Sequence, residues 1–364
     1  MSQKNKKLHK SPLDAENEQI YADYGLQERL GRPRERILKW AALLHRHIHA
    51  ALSEEINAQN TSAEKLLTQM IAKDLRLVVF YLEGILKLYR KRYPAIEENF
   101  ADVKALEDQL GAFSAAKGFL ALSIKHKAPA AVVAHLEEHL QKCQVQALGL
   151  VQDQWMPTSD GNVPALKKLV ACLSALDFDK YKKDKKVLQA EITRRLKKFE
   201  ENALDMNLLQ GDFGIHELRR QLRWFPIYAT ALDGLFTLNS EKHPIKEYEH
   251  LLKSELADSK YSQLPAPLRE TRPYELSKSL FVANNGFISE LGAIKDRGEE
   301  IESLEHALMA TTQKSSQEAR AQAIAILGLA SDAFTKVIDD AQIVFKEIER
   351  VNFRKALRKD VEKA

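Results

Sequence analysis

The chain has too few cysteines, glycines and prolines for several classes of protein. Its two cysteines, Cys143 and Cys172, exclude a disulfide framework and a multi-cysteine zinc site. Fourteen glycines and eleven prolines in 364 residues are few for a many-turned β-sandwich. No uncharged apolar run reaches the length of a membrane span, and the N-terminus lacks the apolar core of a secretory signal. We therefore expect a cytoplasmic protein.

The sequence is rich in alanine, leucine, glutamate and lysine, and it shows almost no alternating strand patterns, which predicts an all-α fold. A flexible tail is predicted over 1–30, a first helical unit over 31–154, a linker over 155–164 and a second helical unit over 165–364. The first two predicted helices cover about 33–58 and 64–93, and a third ends at about 127. The later ones cover about 130–153, 165–175, 180–204, 213–238, 245–259, 274–292, 296–312 and 317–359.

The segment 211–236 carries the clearest chemical signal. On a helix that turns 100° per residue, His216, Arg219, Arg220 and Arg223 share an arc of about 100°. The apolar residues that cluster on a different face are Ile215, Leu218, Leu222, Phe225 and Ala229. Because arginines at this spacing repel one another and guanidinium groups fit phosphate oxygens, the pattern favours an anion-binding face. The alternative interpretation is a solvated face whose charges are balanced by nearby carboxylates.

A second basic segment precedes this helix. Residues 180–198 contain nine lysines and arginines against two acids, a net charge of +7 in a chain whose total is +4. Such a concentrated positive field attracts a polyanion. The members of this segment that we assign to the same site are Lys182, Lys186, Arg194, Arg195, Lys197 and Lys198.

The sequence also contains a degenerate internal repeat. Residues 72–89 align without gaps on 215–232, which places Lys73 opposite His216, Arg76 opposite Arg219 and Phe80 opposite Arg223. Downstream in each copy comes a Leu-Gly element, which ends at Gly111 in the first copy and at Gly292 in the second. This arrangement predicts duplication of a helical unit.

These features together resemble the CHAD family, the conserved-histidine α-helical domain. The resemblance rests on His216-x-x-Arg219-x-x-x-Arg223, the basic helix before it, the Leu-Gly-x-x-Lys-Asp element at 291–296 and the two-copy layout. It covers about 35–355 and implies two similar antiparallel helical bundles, built of long helices around a basic groove. It also implies non-catalytic binding of inorganic polyphosphate, without a cofactor, and an association with polyphosphate granules.

The first copy departs from the family pattern, because Lys73 replaces the histidine and Phe80 replaces the second arginine. The predicted polyphosphate site therefore centres on the second copy. Its full set of residues is His216, Arg219, Arg220, Arg223, Lys73, Arg76, Arg194, Arg195, Lys197, Lys198, Lys186, Lys182 and Lys295. Phosphate or sulfate ions are expected to bind the same residues, and no metal site is expected.

Three other functions remain open at this point. The main alternative is a helical scaffold whose basic face binds an acidic protein. Nucleic acid is a rival polyanion, although the sequence lacks the interleaved aromatics that favour single strands. An enzyme that acts on phosphate esters would need paired carboxylates or a metal cluster beside the basic helix, where only Asp212 and Glu217 are available.

Two histidine motifs could in principle bind metal. His135-Leu-Glu-Glu138-His139 has the spacing of a zinc peptidase motif but lacks the expected sheet scaffold and third ligand, so we expect a solvated helix face. His45 and His49 could share a face and bind metal adventitiously, but surface positions are the more common outcome for such histidines.

Overall fold

The computed structural model describes residues 31–56, 63–72, 75–159, 161–202, 212–267 and 272–364. The predicted tail over 1–30 and the predicted site residue Lys73 lie outside these ranges. The described part of the chain is mostly α-helical, as predicted. No helix in it is both long enough and apolar enough to cross a bilayer.

The helices are numbered here in chain order. They are α1 (Pro33–Ile56), α2 (Ala63–Ala72), α3 (Leu75–Tyr89), α4 (Glu97–Lys125), α5 (Ala130–Leu150), α6 (Pro164–Ala175), α7 (Tyr181–Asn202), α8 (Asp212–Ala231), α9 (Glu255–Asp258), α10 (Lys278–Thr311), α11 (Ser316–Ile326), α12 (Ala333–Arg350) and α13 (Phe353–Glu362). A π-helical turn at Val151–Trp155 extends α5. The helix starts at Pro33 and Pro164 follow the preference of proline for the first turn, where no backbone donor is needed.

Two short parallel strands, β1 (Phe236–Asn239) and β2 (Tyr274–Ser277), correct the expectation of helix throughout. Phe236 pairs with Tyr274 and Asn239 with Ser277. The helix predicted over 213–238 therefore ends earlier, at Ala231, because Asp233 and Gly234 both adopt positive φ angles that a helix cannot contain.

Other predicted boundaries also change. The helices predicted over 274–292 and 296–312 are one continuous helix, α10, which begins only after β2. The helix predicted over 317–359 is three helices, separated near Gly328 and Asn352, which both have positive φ. The segment predicted as a helix over 245–259 is mainly a 3-10 helix, Lys246–Lys253, followed by the short α9.

Helices α3 and α8, which carry the two segments aligned in the sequence, pack directly against each other. Helix α3 also packs on α1 and α4, and α8 packs on α10. A Cβ added at Gly84 would lie 2.7 Å from Ile227 Cγ2, so a glycine is needed for this close approach of the two helices. The contact surface between α3 and α8 is called the central seam below.

Two buried ion pairs tie α1 to distant parts of the chain. Arg36 Nη1 lies 2.7 Å from Asp184 Oδ2, with both side chains almost fully buried and the Tyr89 hydroxyl donating to the same oxygen at 3.2 Å. Lys39 Nζ lies 2.6 Å from Asp233 Oδ1. Asp184 lies in the first turn of α7, and Asp233 follows the end of α8, so the two pairs fix where α7 and α8 lie against α1.

Candidate functional site

Helix α8 has the two faces that its sequence predicts. The five apolar residues of the packing face are all buried, at 0–3% exposure for Ile215, Leu218, Leu222, Phe225 and Ala229. On the other side, His216 and Arg220 are exposed, whereas Arg219 and Arg223 are half-buried. Phe80 of α3 covers Arg223, whereas Arg219 lies against Ile288 and Gly292 of α10.

Three guanidinium groups converge at one end of the seam, and we call Arg76, Arg219 and Arg223 the arginine cluster. Arg223 lies over the ring of Phe80 at 4.3 Å from its centroid, and Arg76 lies 5.8 Å from the same ring. Burial lowers the pKa of Arg223 to about 10, and the positive charges of Arg219 and Arg76 act in the same direction. The cluster is therefore a site where positive charge is held at a free-energy cost.

The arginines of this cluster differ in their hydrogen-bond and ion-pair partners. Arg76 Nη2 forms an ion pair with Glu107 at 2.9 Å, and Arg219 Nε donates to the backbone carbonyl of Ile288 at 3.2 Å. Within the described ranges, the Arg223 guanidinium makes no hydrogen bond or ion pair, and its Nε atom is buried without a partner. Unpaired buried charge is rare in proteins because it is costly, so Arg223 is the most informative residue here.

Each of the two aligned arginines packs on the glycine of its own Leu-Gly element. A Cβ at Gly111 would lie 3.1 Å from Arg76 Nη2, and a Cβ at Gly292 would lie 3.0 Å from Arg219 Nε. Glycine at both positions therefore leaves room for a guanidinium against the neighbouring helix. The residue pairs that the alignment placed opposite each other, Phe80 with Arg223 and Gly84 with Ile227, meet face to face across the seam.

A second group of cations, the Lys87 group, continues along the seam and consists of Lys87, Arg195 and Arg220. Lys87 Nζ lies 3.6 Å from the centroid of the Trp224 ring, which stacks on Tyr228. Arg195 donates to the Lys87 carbonyl at 2.8 Å. Burial lowers the pKa of Lys87 to about 8; Glu83 opposes this shift, and the positive charge of Arg195 adds to it.

Carboxylates in and around the seam balance part of this charge. Glu191 pairs with both Arg194 and Arg195, at 2.6 and 2.8 Å, and Glu217 pairs with the exposed Arg220 at 2.6 Å. Glu83 is buried between the arginine cluster and the Lys87 group, and burial raises the pKa of its carboxyl group. The seam thus contains both positive and negative side chains. Among its described residues, Arg219 and Arg223 are the two arginines that form no ion pair with a carboxylate.

The remaining predicted residues are more scattered. Helix α7 turns 100° per residue, so Lys182, Lys186 and Lys197 lie roughly opposite Arg195, the residue of α7 that contacts the seam. Lys198 is exposed. Lys295 lies one turn beyond Gly292 on α10 and forms ion pairs with Glu299 and Asp296.

Several residues of the seam were not predicted from the sequence: Glu83, Gly84, Lys87 and Glu107. The signal for two of them was present, because Glu83 and Lys87 are charges one helical turn apart inside the otherwise apolar α3. Glu107 gave no such signal, since α4 has many charged positions and only tertiary packing brings this one to Arg76.

The histidine motifs do not form a metal centre in the described part of the chain, where no three His, Cys, Asp or Glu side chains are grouped to hold an ion. Glu138 pairs with Lys142 at 2.7 Å, and His139 is exposed, which agrees with the solvated face expected there. His45 and His49 have ring centroids 6.3 Å apart on α1.

No protein-family model, curated protein or solved structure matches this chain. The functional interpretation therefore depends on the geometry of the central seam.

Proposed function

We propose that this protein binds inorganic polyphosphate, or a similarly phosphate-rich polyanion, along the central seam and does not act on it chemically. The observation that carries the proposal is Arg223, a half-buried guanidinium without a partner among the described residues, beside Arg219 and Arg76. A phosphate oxygen would supply the ion-pair partner that Arg219 and Arg223 lack among the described residues, in the bidentate geometry that guanidinium prefers. The Lys87 group would continue the contact along the chain of phosphates.

We infer further that the two helical units descend from one duplicated unit, form two similar bundles around a basic groove and belong to the CHAD family. The equivalent contacts of Arg76 with Gly111 and of Arg219 with Gly292 support this inference. So does the meeting of Phe80 with Arg223, which are separated by the same 143 positions as the two aligned segments. A near-two-fold relation between copies brings equivalent residues together at its axis.

The test is binding of long-chain polyphosphate to the purified full-length chain, measured at several salt concentrations. We expect Arg219→Gln/Arg223→Gln to weaken binding by about tenfold or more, because each residue loses charge-assisted hydrogen bonds. The slope of log K against log salt should fall by about 1.4, since two phosphate contacts are lost. The matched control is Lys125→Gln/Lys142→Gln, which removes two exposed charges from α4 and α5.

Equal losses in the two double variants would refute the site, because net charge alone would then explain binding. Single-stranded and duplex DNA of matched charge, used as competitors, test whether the ligand is a nucleic acid instead. Release of inorganic phosphate from polyphosphate with Mg²⁺ or Mn²⁺ present would refute the non-catalytic role.

A scaffold that binds an acidic protein is the second candidate. The ion pairs of Arg76, Arg195 and Arg220 favour it, because carboxylates inside a site compete with phosphate but can exchange with those of a partner protein. Competition separates the two functions. If the protein is a scaffold, polyphosphate at constant ionic strength should not displace the acidic partner protein. If the seam is a polyphosphate site that the partner also occupies, polyphosphate should displace it.

A further inference from the structure

A second concentration of positive charge lines a cavity of about 580 Å³ away from the seam. It lies between the loop after β1 and helix α13, and the left-handed Asn352 makes the tight turn from α12 that opens it. We call it the lysine pocket. Its basic lining residues are Lys242, His243, Lys355, Lys359 and Lys363.

Three of these lysines form one stripe on α13. Lys355, Lys359 and Lys363 follow each other at intervals of four residues, so they lie within about 80° of arc on one side of the helix. All three are exposed, and none forms an ion pair with a carboxylate in the described ranges. Like charges at this spacing repel one another, which opposes the favourable interaction of Lys359 and Lys363 with the C-terminal end of the helix.

Asp360, the one acidic residue in the lining of the pocket, already has a hydrogen-bond donor and an ion-pair partner. Asp360 is buried; its Oδ2 atom accepts a hydrogen bond from the Ser277 backbone N–H at 2.7 Å, and its Oδ1 atom lies 2.8 Å from Lys242 Nζ. Asp360 therefore offsets the charge of Lys242 and leaves the stripe uncompensated. The other acids of this region are engaged elsewhere, Glu349 with Arg354 and Glu362 with Arg358.

His243 adds an imidazole to the lining of the pocket. Its Nδ1 atom is buried away from solvent, so a ligand in the pocket would contact the rest of the ring. The apolar residues Ile245 and Val351 form another part of the wall.

The pocket is separate from the arginine cluster. Ser277, which contacts both Asp360 and Lys242, precedes α10, whereas Arg219 reaches α10 at Ile288. Eleven residues of helix correspond to about 16 Å. A compact ligand in the pocket therefore cannot also reach the arginine cluster.

We propose that the lysine pocket is a separate binding site for a compact triphosphate group. Lys355, Lys359 and Lys363 contact its oxygens, and the His243 ring forms part of the wall beside it. The volume is in the range of small-molecule sites and admits either an inorganic triphosphate or a nucleoside triphosphate whose base rests on Ile245 and Val351. This inference stands whether or not the seam binds polyphosphate.

The test uses isothermal titration of the full-length chain that carries Arg219→Gln/Arg223→Gln, so that the seam contributes little. Inorganic tripolyphosphate and ATP are titrated as separate probes. We expect both to bind, and further substitution of Lys355→Gln/Lys359→Gln to weaken binding by about tenfold or more. Both lysines are exposed, so these changes leave the fold intact.

The matched control adds Lys125→Gln/Lys142→Gln to the same background and should change affinity by no more than about twofold, since screening limits the effect of distant charges. Tighter binding of ATP than of tripolyphosphate identifies a nucleotide site, and equal binding identifies an inorganic one. The proposal is overturned if the background chain binds neither probe, or if the pocket variant binds as well as its control. The effect of Arg219→Gln/Arg223→Gln on polyphosphate binding tests the function proposed for the seam and does not bear on the lysine pocket.

Discussion

Replacement of Arg223 by methionine should stabilise the protein and weaken its binding of polyphosphate. Methionine keeps an unbranched apolar chain against Phe80 and removes the guanidinium, which has no partner among the described residues. A stabilising substitution at a half-buried position is unusual, and it is expected here because burial of the charged residue outweighs the attraction of Glu107 and Glu83.

The magnitude follows from the pKa of Arg223, which falls from 12.5 to about 10 on folding. The folded state disfavours the protonated form, so the penalty is fully present below pH 10 and is relieved only as the pH rises through about 10. At about 1.4 kcal/mol per pKa unit the shift sets an upper limit of about 3.5 kcal/mol. Solvent screening at a half-buried site reduces this to a gain of about 1–2 kcal/mol in the free energy of unfolding.

The assay is urea denaturation at pH 7 together with a polyphosphate titration of the same preparations. Arg220→Met is the control: Arg220 is exposed and paired with Glu217, so its loss should change the free energy of unfolding by no more than about 0.5 kcal/mol. A clear loss of stability in Arg223→Met would refute the reasoning, because the guanidinium would then contribute more through packing than its charge costs. Unchanged polyphosphate affinity would separately remove Arg223 from the site.

Three further predictions concern the seam and the core. Gly84→Ala should cost about 1–3 kcal/mol in unfolding free energy, because its Cβ would lie 2.7 Å from the facing helix, whereas Gly118→Ala, with open space around it, should be neutral or stabilising. Polyphosphate affinity should fall as the pH rises through about 8, because Lys87 loses its proton there. Lys87→Met should weaken binding at pH 7 and make the affinity less dependent on pH in titrations between pH 7 and 9. Arg36→Met should lower the free energy of unfolding by about 3–5 kcal/mol, because it leaves the buried Asp184 carboxylate without its ion-pair partner. Arg36→Met/Asp184→Leu should recover most of that loss in thermal or chemical unfolding. Equal stability of the single and double variants would contradict this account.

Much of the architecture was predictable because helical periodicity is a local property. The buried face of α8 follows from its apolar spacing, and the boundaries at Pro33, Pro129 and Pro164 follow from the missing backbone donor of proline. The errors arose where local preference competes with packing. The single helix α10 passes through Gly292, where the sequence predicts the end of a helix, and the missing side chain there leaves room for the Arg219 guanidinium.

The same division holds for the candidate site. The sequence predicted that Arg219 and Arg223 share a helix face and that α7 is strongly basic. Sequence spacing could not show that α7 presents mainly Arg195 to the seam, while Lys182 and Lys186 lie on its far side. Nor could it show that Glu107, on a different helix, neutralises Arg76.

By itself, the sequence determined the helical class, the faces of the helices and the aligned positions of the two copies, because these depend on residues a few positions apart. Only the tertiary structure decided which charges remain without a partner. Pairing depends on which helices pack together, so Glu107 forms an ion pair with Arg76, whereas Arg223, which lies over the same Phe80 ring, forms none among the described residues. That difference, set by contacts between helices α3, α4 and α8, is what makes one arginine structural and another a candidate for binding.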